Sequence, residues 1–327
     1  MRKSVVLPLV AGCVVAAWFT GVSLWRLFHL DLTIPVQTAP SLLADYRLVL
    51  ITRELDSPFW DEVEAGARRS ARQYNAYLEV WGSYGQNEEE FLKRMEIAIA
   101  SKMDGIIVQG LNTDEFHRLT TVKAGSNGIP VFTVANDVPP GKSIRRTYIG
   151  TNHELAGRMI GRQLLEDMGE SGTVVILRSE REEENQRQRM KGIFDVLAPY
   201  AGQIRTEIVT TGDTREKVTQ ATGDALNRWP DADAFIAVHS ANIGAMVRVL
   251  EQRVSIGNRH IYAFDDDAEA RTLLGQGKLS ALIVQSPAQM GEISVRLMIQ
   301  WLRGEKFPLD YIGYFTDFRL VRAGEPL

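Results

Sequence analysis

Asp56-Ser57-Pro58-Phe59-Trp60, Gln109, Asn136-Asp137, His239-Ser240, Asp265-Asp266-Asp267 and Gln285 stand at the ends of short apolar runs, and Arg189 lies just inside a helical pattern. Together they offer amides, carboxylates, one guanidinium and two adjacent aromatic rings. Planar polar groups of this kind donate and accept in the plane of a polyol's hydroxyls, while aromatic faces cover its C–H surface. Taken singly, each has an ordinary role. Phe59 and Trp60 suit the buried face of a helix, Asp265 to Asp267 a helix cap, Asn136-Asp137 a turn and Arg189 a polar surface. The case for a binding site rests on their shared position.

Catalytic patterns are absent from the chain. There is no G-x-S-x-G elbow and no G-x-x-x-x-G-K-S/T loop, and His153-Glu154-Leu155-Ala156-Gly157 lacks the second histidine of a zinc-protease helix. No G-x-G-x-x-G follows the first apolar run, where a dinucleotide site needs it. The five histidines are scattered without metal-ligand spacing. A binder without cofactor, metal or catalytic residue is the expectation.

The elements that must position these residues obey one grammar. Leu48–Ile51, Leu78–Trp81, Gly105–Val108 and Ile129–Val134 are short apolar runs, alternating with helical patterns over Phe59–Arg68, Glu88–Ser101 and Thr113–Ala124. A second round begins after Asn152, with runs at Val174–Leu177, Thr206–Val209, Ala234–Val238 and Ile261–Phe264. Its helical patterns cover His153–Met168, Glu184–Leu197, Thr214–Arg228 and Ala241–Arg253. A last run, Leu282–Val284, leads into an amphipathic stretch, Ala288–Trp301, and a β-rich tail over Tyr311–Val321. Continuous apolar runs alternating with amphipathic helices mark parallel strands covered on both faces. The expected fold class is α/β, two doubly wound lobes. In such sheets ligands bind outside the carboxyl ends of the strands, where the polar and aromatic residues of the candidate site fall.

Composition bounds the partners. The 327 residues carry a net charge of −4, with 45% hydrophobic and 24% charged residues and no basic cluster, so nucleic acid is not an expected partner. The chain opens with Ser4–Trp25, an uncharged apolar run behind Arg2 and Lys3. Its length matches the roughly 20 residues a helix needs to span a bilayer, and the flanking charges place the rest of the chain outside the cytoplasm. Three fates compete: an uncleaved signal anchor, a lipoprotein acylated at Cys13 in Val10-Ala11-Gly12-Cys13, and ordinary cleavage. Length and the lack of an A-x-A pattern favour the anchor. Cys13 is the only cysteine, so the exported body has no disulfide. The expected division is a transmembrane anchor over residues 1–28, a stalk over 29–44 and a body over 45–327, on the extracytoplasmic face of the cell membrane.

From Arg47 to Leu320 the chain resembles the periplasmic binding protein type 1 family, in particular its ribose- and galactose-binding branch. The resemblance is carried by Leu55-Asp56-Ser57-Pro58-Phe59-Trp60, Asp104-Gly105-Ile106-Ile107-Val108, Gly128-Ile129-Pro130-Val131, Tyr148-Ile149-Gly150-Thr151-Asn152, Ala263-Phe264-Asp265 and Ala281-Leu282-Ile283-Val284-Gln285-Ser286-Pro287. It implies two lobes joined by a multi-strand hinge, about 45–149 with 287–313 and about 152–285 with 316–327. It also implies a carbohydrate in the cleft between them, contacted by Ser57, Phe59, Trp60, Gln109, Asn136, Asp137, Arg189, His239, Asp265 and Gln285.

The chain departs from the branch at three places. Asn136-Asp137 stands where many aldose binders have Asp-Arg or Asn-Lys, His239 replaces an Asn of the ribose pattern, and Gly212-Asp213 brings no second aromatic. A monosaccharide or polyol therefore remains open as to identity, as does a furanosyl autoinducer. The resemblance implies an ABC permease as partner or, in a sensing role, a membrane histidine kinase. The DNA-binding helices that begin related sugar regulators are replaced here by the apolar run.

Overall fold

The computed structural model describes residues 44–325, apart from 86, 140, 182, 213, 240–242 and 254–258, together with Trp18. The expected anchor and stalk thus lie outside the described residues, but for Trp18 and Ala44. Among the described residues no helix is long and apolar enough to cross a membrane. The residues from Ala44 onward form one compact unit.

The unit from Ala44 onward contains two six-stranded sheets. In lobe one, β1 (Tyr46–Thr52), β2 (Ala76–Gly82), β3 (Gly105–Gln109), β4 (Val131–Val134), β5 (Thr147–Gly150) and β11 (Tyr314–Phe315) lie in the order β11-β5-β4-β3-β1-β2, all parallel. In lobe two, β6 (Gly172–Ser179), β7 (Ile204–Thr211), β8 (Ala234–Ala237), β9 (His260–Phe264), β10 (Ala281–Gln285) and β12 (Phe318–Arg322) repeat that order as β12-β10-β9-β8-β6-β7. Only β12 runs antiparallel, against β10. The inner strands are buried along almost their whole length, which is why they read as unbroken apolar runs.

Helices cover both faces of each sheet. Lobe one has α1 (Pro58–Gln73) and α9 (Pro287–Leu302) on one face, and α2 (Glu88–Ala100) with α3 (Asp114–Arg118) on the other. Lobe two has α4 (His153–Met168) and α5 (Glu184–Leu197) on one face, and α6 (Arg215–Arg228), α7 (Ile243–Arg253) and α8 (Ala268–Gly275) on the other. The expected Thr113–Ala124 helix is α3 continued by a π-helical turn, Leu119–Ala124. β5 and α8 carry no pattern long enough to stand out in the sequence.

The chain passes between the lobes three times: from β5 to α4, from β10 to α9, and from β11 to β12. Each passage is short and polar. Asn152 caps α4 by accepting from Leu155 N at 2.9 Å, and Pro287 opens α9 with no N–H to lose. Helix pairs beside these passages approach through glycine. A Cβ on Gly66 of α1 would fall 1.9 Å from the Ala288 carbonyl oxygen, and one on Gly291 of α9 would fall 1.9 Å from that of Val63. In lobe two, a Cβ on Gly157 of α4 would fall 2.1 Å from the Arg189 carbonyl oxygen, and one on Gly192 of α5 2.0 Å from that of Glu154.

Candidate functional site

In each sheet the order of winding reverses between the lobe's first and third strands, and a crevice must open there at the carboxyl ends. In lobe one, Gln109 at the end of β3 closes the bottom of that crevice. Its Oε1 accepts from Thr52 Oγ1 at 3.1 Å and from Arg53 N at 2.9 Å. The remainder is a cleft of about 490 Å³ between the lobes, within the usual range of small-molecule sites.

Nine of the ten expected residues line it: Ser57, Phe59, Trp60, Gln109, Asn136, Arg189, His239, Asp265 and Gln285. Ser57 precedes α1 and makes no side-chain cap to it. Phe59 and Trp60 meet edge to face at 5.7 Å between ring centroids. Trp60 is mostly buried in the lobe-one core and reaches the cleft from there, and the half-buried Phe59 is the more open ring. Asp137 is the correction. Its side chain turns away from the cleft into lobe one, where Thr133 Oγ1 donates to it at 2.6 Å and Arg145 pairs with it. Burial pushes its carboxyl up despite Arg145. Ser240 lies outside the described residues.

The lobe-two wall is built on Arg189. It is 1% exposed, which excludes the surface role its neighbours in sequence suggest. Nη1 and Nη2 donate to Asp265 Oδ2 and Oδ1 at 2.9 and 2.7 Å, and Nη1 also reaches the Val238 carbonyl at 2.8 Å. The guanidinium lies over the Phe264 ring. Gln285 ties this pair to the hinge, since Nε2 donates to Asp265 and Oε1 accepts from Thr151 Oγ1 at 2.6 Å. Burial raises the Asp265 carboxyl, but the Arg189 charge and hydrogen bonds outweigh it and hold it below the usual range. Asp265 and Ala135 have φ of +70° and +63°, each at the first residue past its strand. Asp tolerates this left-handed region, whereas at Ala135 it stores about 1–3 kcal/mol of strain beside the cleft.

Several lining residues escape a reading of strand ends: Glu54, Glu62, Glu183, Asn185 and Arg271. Asp266 and Asp267 belong to the strand-end pattern and also line the cleft, although the family resemblance assigns them no contact. Glu183 and Asn185 open α5 and reach across to lobe one. Glu183 pairs with Arg53, and Asn185 N donates to Asn136 Oδ1 at 3.1 Å. Arg53 is fully buried, and its Nε and Nη1 have no protein partner. Burial pushes Glu54 up against the pull of Arg53. Arg271 pairs with Asp266, and Asp267 caps α8 by accepting from Ala270 N at 2.7 Å. Among the described residues no group of His, Cys, Asp and Glu is gathered as metal ligands would be. The cleft offers paired polar groups facing a half-buried aromatic edge, an arrangement suited to holding hydroxyls.

A family model described as a periplasmic binding protein domain matches residues 48–306. The chain belongs to the periplasmic binding protein family. A glucose-galactose binding protein from Geobacillus stearothermophilus is 31% identical, with a TM-score of 0.79 over 86% of this chain and 99% of that one. An ABC transporter solute-binding protein from Burkholderia graminis, solved with D-arabinose, is 25% identical, with a TM-score of 0.77 over 86% and 96%. The ribose import binding protein of Escherichia coli is 22% identical over 279 residues, 85% of this chain and 91% of its own. The family expected from the short landmarks is the family found. The two lobes of this periplasmic binding protein account for the repeated strand order, and the three passages form its hinge.

Proposed function

We propose that this periplasmic binding protein works on the extracytoplasmic face of the cell membrane. In this reading its N-terminal run tethers it while it closes over one monosaccharide or polyol and delivers it to an ABC permease. The carrying observation is the Arg189–Asp265–Gln285 network in a cleft that also presents Phe59. Such a network orients hydroxyls by charge-assisted hydrogen bonds while the aromatic ring covers C–H surface. The relatives named for ribose import, for glucose and galactose, and with bound D-arabinose support a carbohydrate as the solute class. Delivery to a permease is preferred to signalling through a membrane kinase because the Escherichia coli relative is an import protein. In this reading the protein binds without turnover, in keeping with relatives named as binding proteins.

A thermal-shift screen of the full-length chain against pentoses, hexoses and polyols tests this reading. A sugar at 100 times its Kd should add about 2.7 kcal/mol of stability. Stabilisation by amino acids or oligopeptides, with every sugar inert, refutes it.

A further inference from the structure

Arg189 belongs to lobe two and Ala135 to lobe one, and the His153 ring stands between them. Arg189 Nε donates to His153 Nδ1 at 3.3 Å, and His153 Nε2 faces the Ala135 carbonyl at 3.2 Å. A guanidinium has no acceptor, so Nδ1 must present its lone pair and the ring proton must sit on Nε2. One neutral tautomer serves both contacts. His153 is 2% exposed and is not part of the cleft wall. It is the first residue of α4, directly after the Thr151-Asn152 passage between lobes. The Ala135 carbonyl it meets also accepts from Tyr148 Oη at 3.2 Å.

We propose that His153 is a positioning residue that fixes the Arg189 guanidinium against the Ala135-Asn136 turn of the opposite lobe, so that guanidinium orientation and lobe closure are coupled through one imidazole. Its effect on affinity rests on the sugar-binding function proposed for the cleft, whereas its effect on Arg189 does not. Asparagine at this position places an amide oxygen near Nδ1 and keeps the acceptor for Arg189. Glutamine places an amide nitrogen near Nε2 and keeps only the donor to Ala135. Leucine keeps neither. A purely space-filling histidine would rank the three by packing alone.

The test uses the full-length chain in detergent, ¹⁵N-labelled, as parent, His153→Asn, His153→Gln and His153→Leu. Expected in the parent is an imidazole protonated on Nε2. Exchange of the Arg189 Nε–H with solvent should be at least tenfold faster in the Gln and Leu proteins, and within threefold of the parent in the Asn protein. Titration with D-ribose, D-galactose and D-arabinose should give the same ranking, with affinity lost tenfold or more in Gln and Leu. A parent ring protonated on Nδ1, or exchange equal in the Asn and Gln proteins, overturns the proposal. If none of the three sugars binds the parent, the sugar reading fails while the exchange measurement still decides this one. Should the Leu protein not fold, Asn against Gln carries the comparison.

Discussion

Replacing Arg189 with alanine removes the guanidinium partner of both Asp265 oxygens and leaves that carboxylate on a side chain only 21% exposed. Opposite charges about 4 Å apart attract by roughly 4 kcal/mol at an effective dielectric of 20. Removing one member of a buried pair typically costs about 3–5 kcal/mol, because the other is left uncompensated. Arg189→Ala should therefore lose about 3–5 kcal/mol of stability. Asp265→Ala strands a charge that still holds the Val238 carbonyl and His153, so its loss should be somewhat smaller. In the double variant no stranded charge remains, and the losses should fall short of additive by about 2 kcal/mol or more. Urea unfolding of the full-length parent, both singles and the double, without sugar, measures this coupling. A coupling under about 0.5 kcal/mol, the value of an exposed pair, would refute the reasoning. Each single should also weaken sugar binding about tenfold or more.

The seam between the lobes makes a second case: Glu183→Gln strands the fully buried Arg53 and should cost about 3 kcal/mol. Arg53→Met leaves Glu183, whose side chain is 11% exposed, without its partner and should cost a similar amount, and a denaturant midpoint equal to the parent's in either variant rejects this account. Gly157→Ala should destabilise strongly or prevent folding, since its Cβ would fall 2.1 Å from the Arg189 carbonyl. Gly223→Ala, whose nearest neighbour is an arginine nitrogen at 3.8 Å, should gain about 0.5–1 kcal/mol, and thermal unfolding checks both. Burial, and then the Arg189 charge, hold the His153 imidazole down to about 3 against an ordinary 6.5. The folded state therefore keeps it neutral while the unfolded chain protonates below pH 6.5. The stability this neutrality contributes is whole above pH 6.5 and is lost as pH falls toward 3, by about 1.4 kcal/mol per pH unit within that window. Asp137 and Glu54, pushed up by burial, act in the opposite sense, so the comparison is between the parent and His153→Asn, in which the slope between pH 6 and 4.5 should flatten.

Alternation of apolar runs and helical patterns makes the two lobes legible in the sequence, because strands buried on both faces have no polar positions to interrupt them. The passages between lobes are not legible by periodicity. Thr151-Asn152 and Gln285-Ser286 are too short and polar to carry a period, and only the family landmarks point to them. Strand ends mark most of the cleft because a parallel sheet delivers its chain there. Asp137 shows where that logic stops: it follows Asn136 directly, yet its partner Arg145 lies eight residues on and draws it inward. Glu183 and Asn185 escape it because they begin a helix four to six residues beyond β6. Arg53 sits at a strand end but reaches across the lobes, and nothing in its neighbours announces a partner 130 residues away.

The glycine crossings bear on how such a protein can be retargeted to another solute. Gly157 packs on the carbonyl of Arg189 itself, so a close crossing of α4 and α5 is also the mount of the cleft's guanidinium. A side chain at that crossing would shift the arginine along with the helix. Arg189 is thus a fixed datum, tied to the skeleton, while Ser57, Phe59, His239 and the Asp266-Asp267 turn hang from loops and helix starts that can change without moving it. New specificities are to be sought by varying those residues around an arginine left in place.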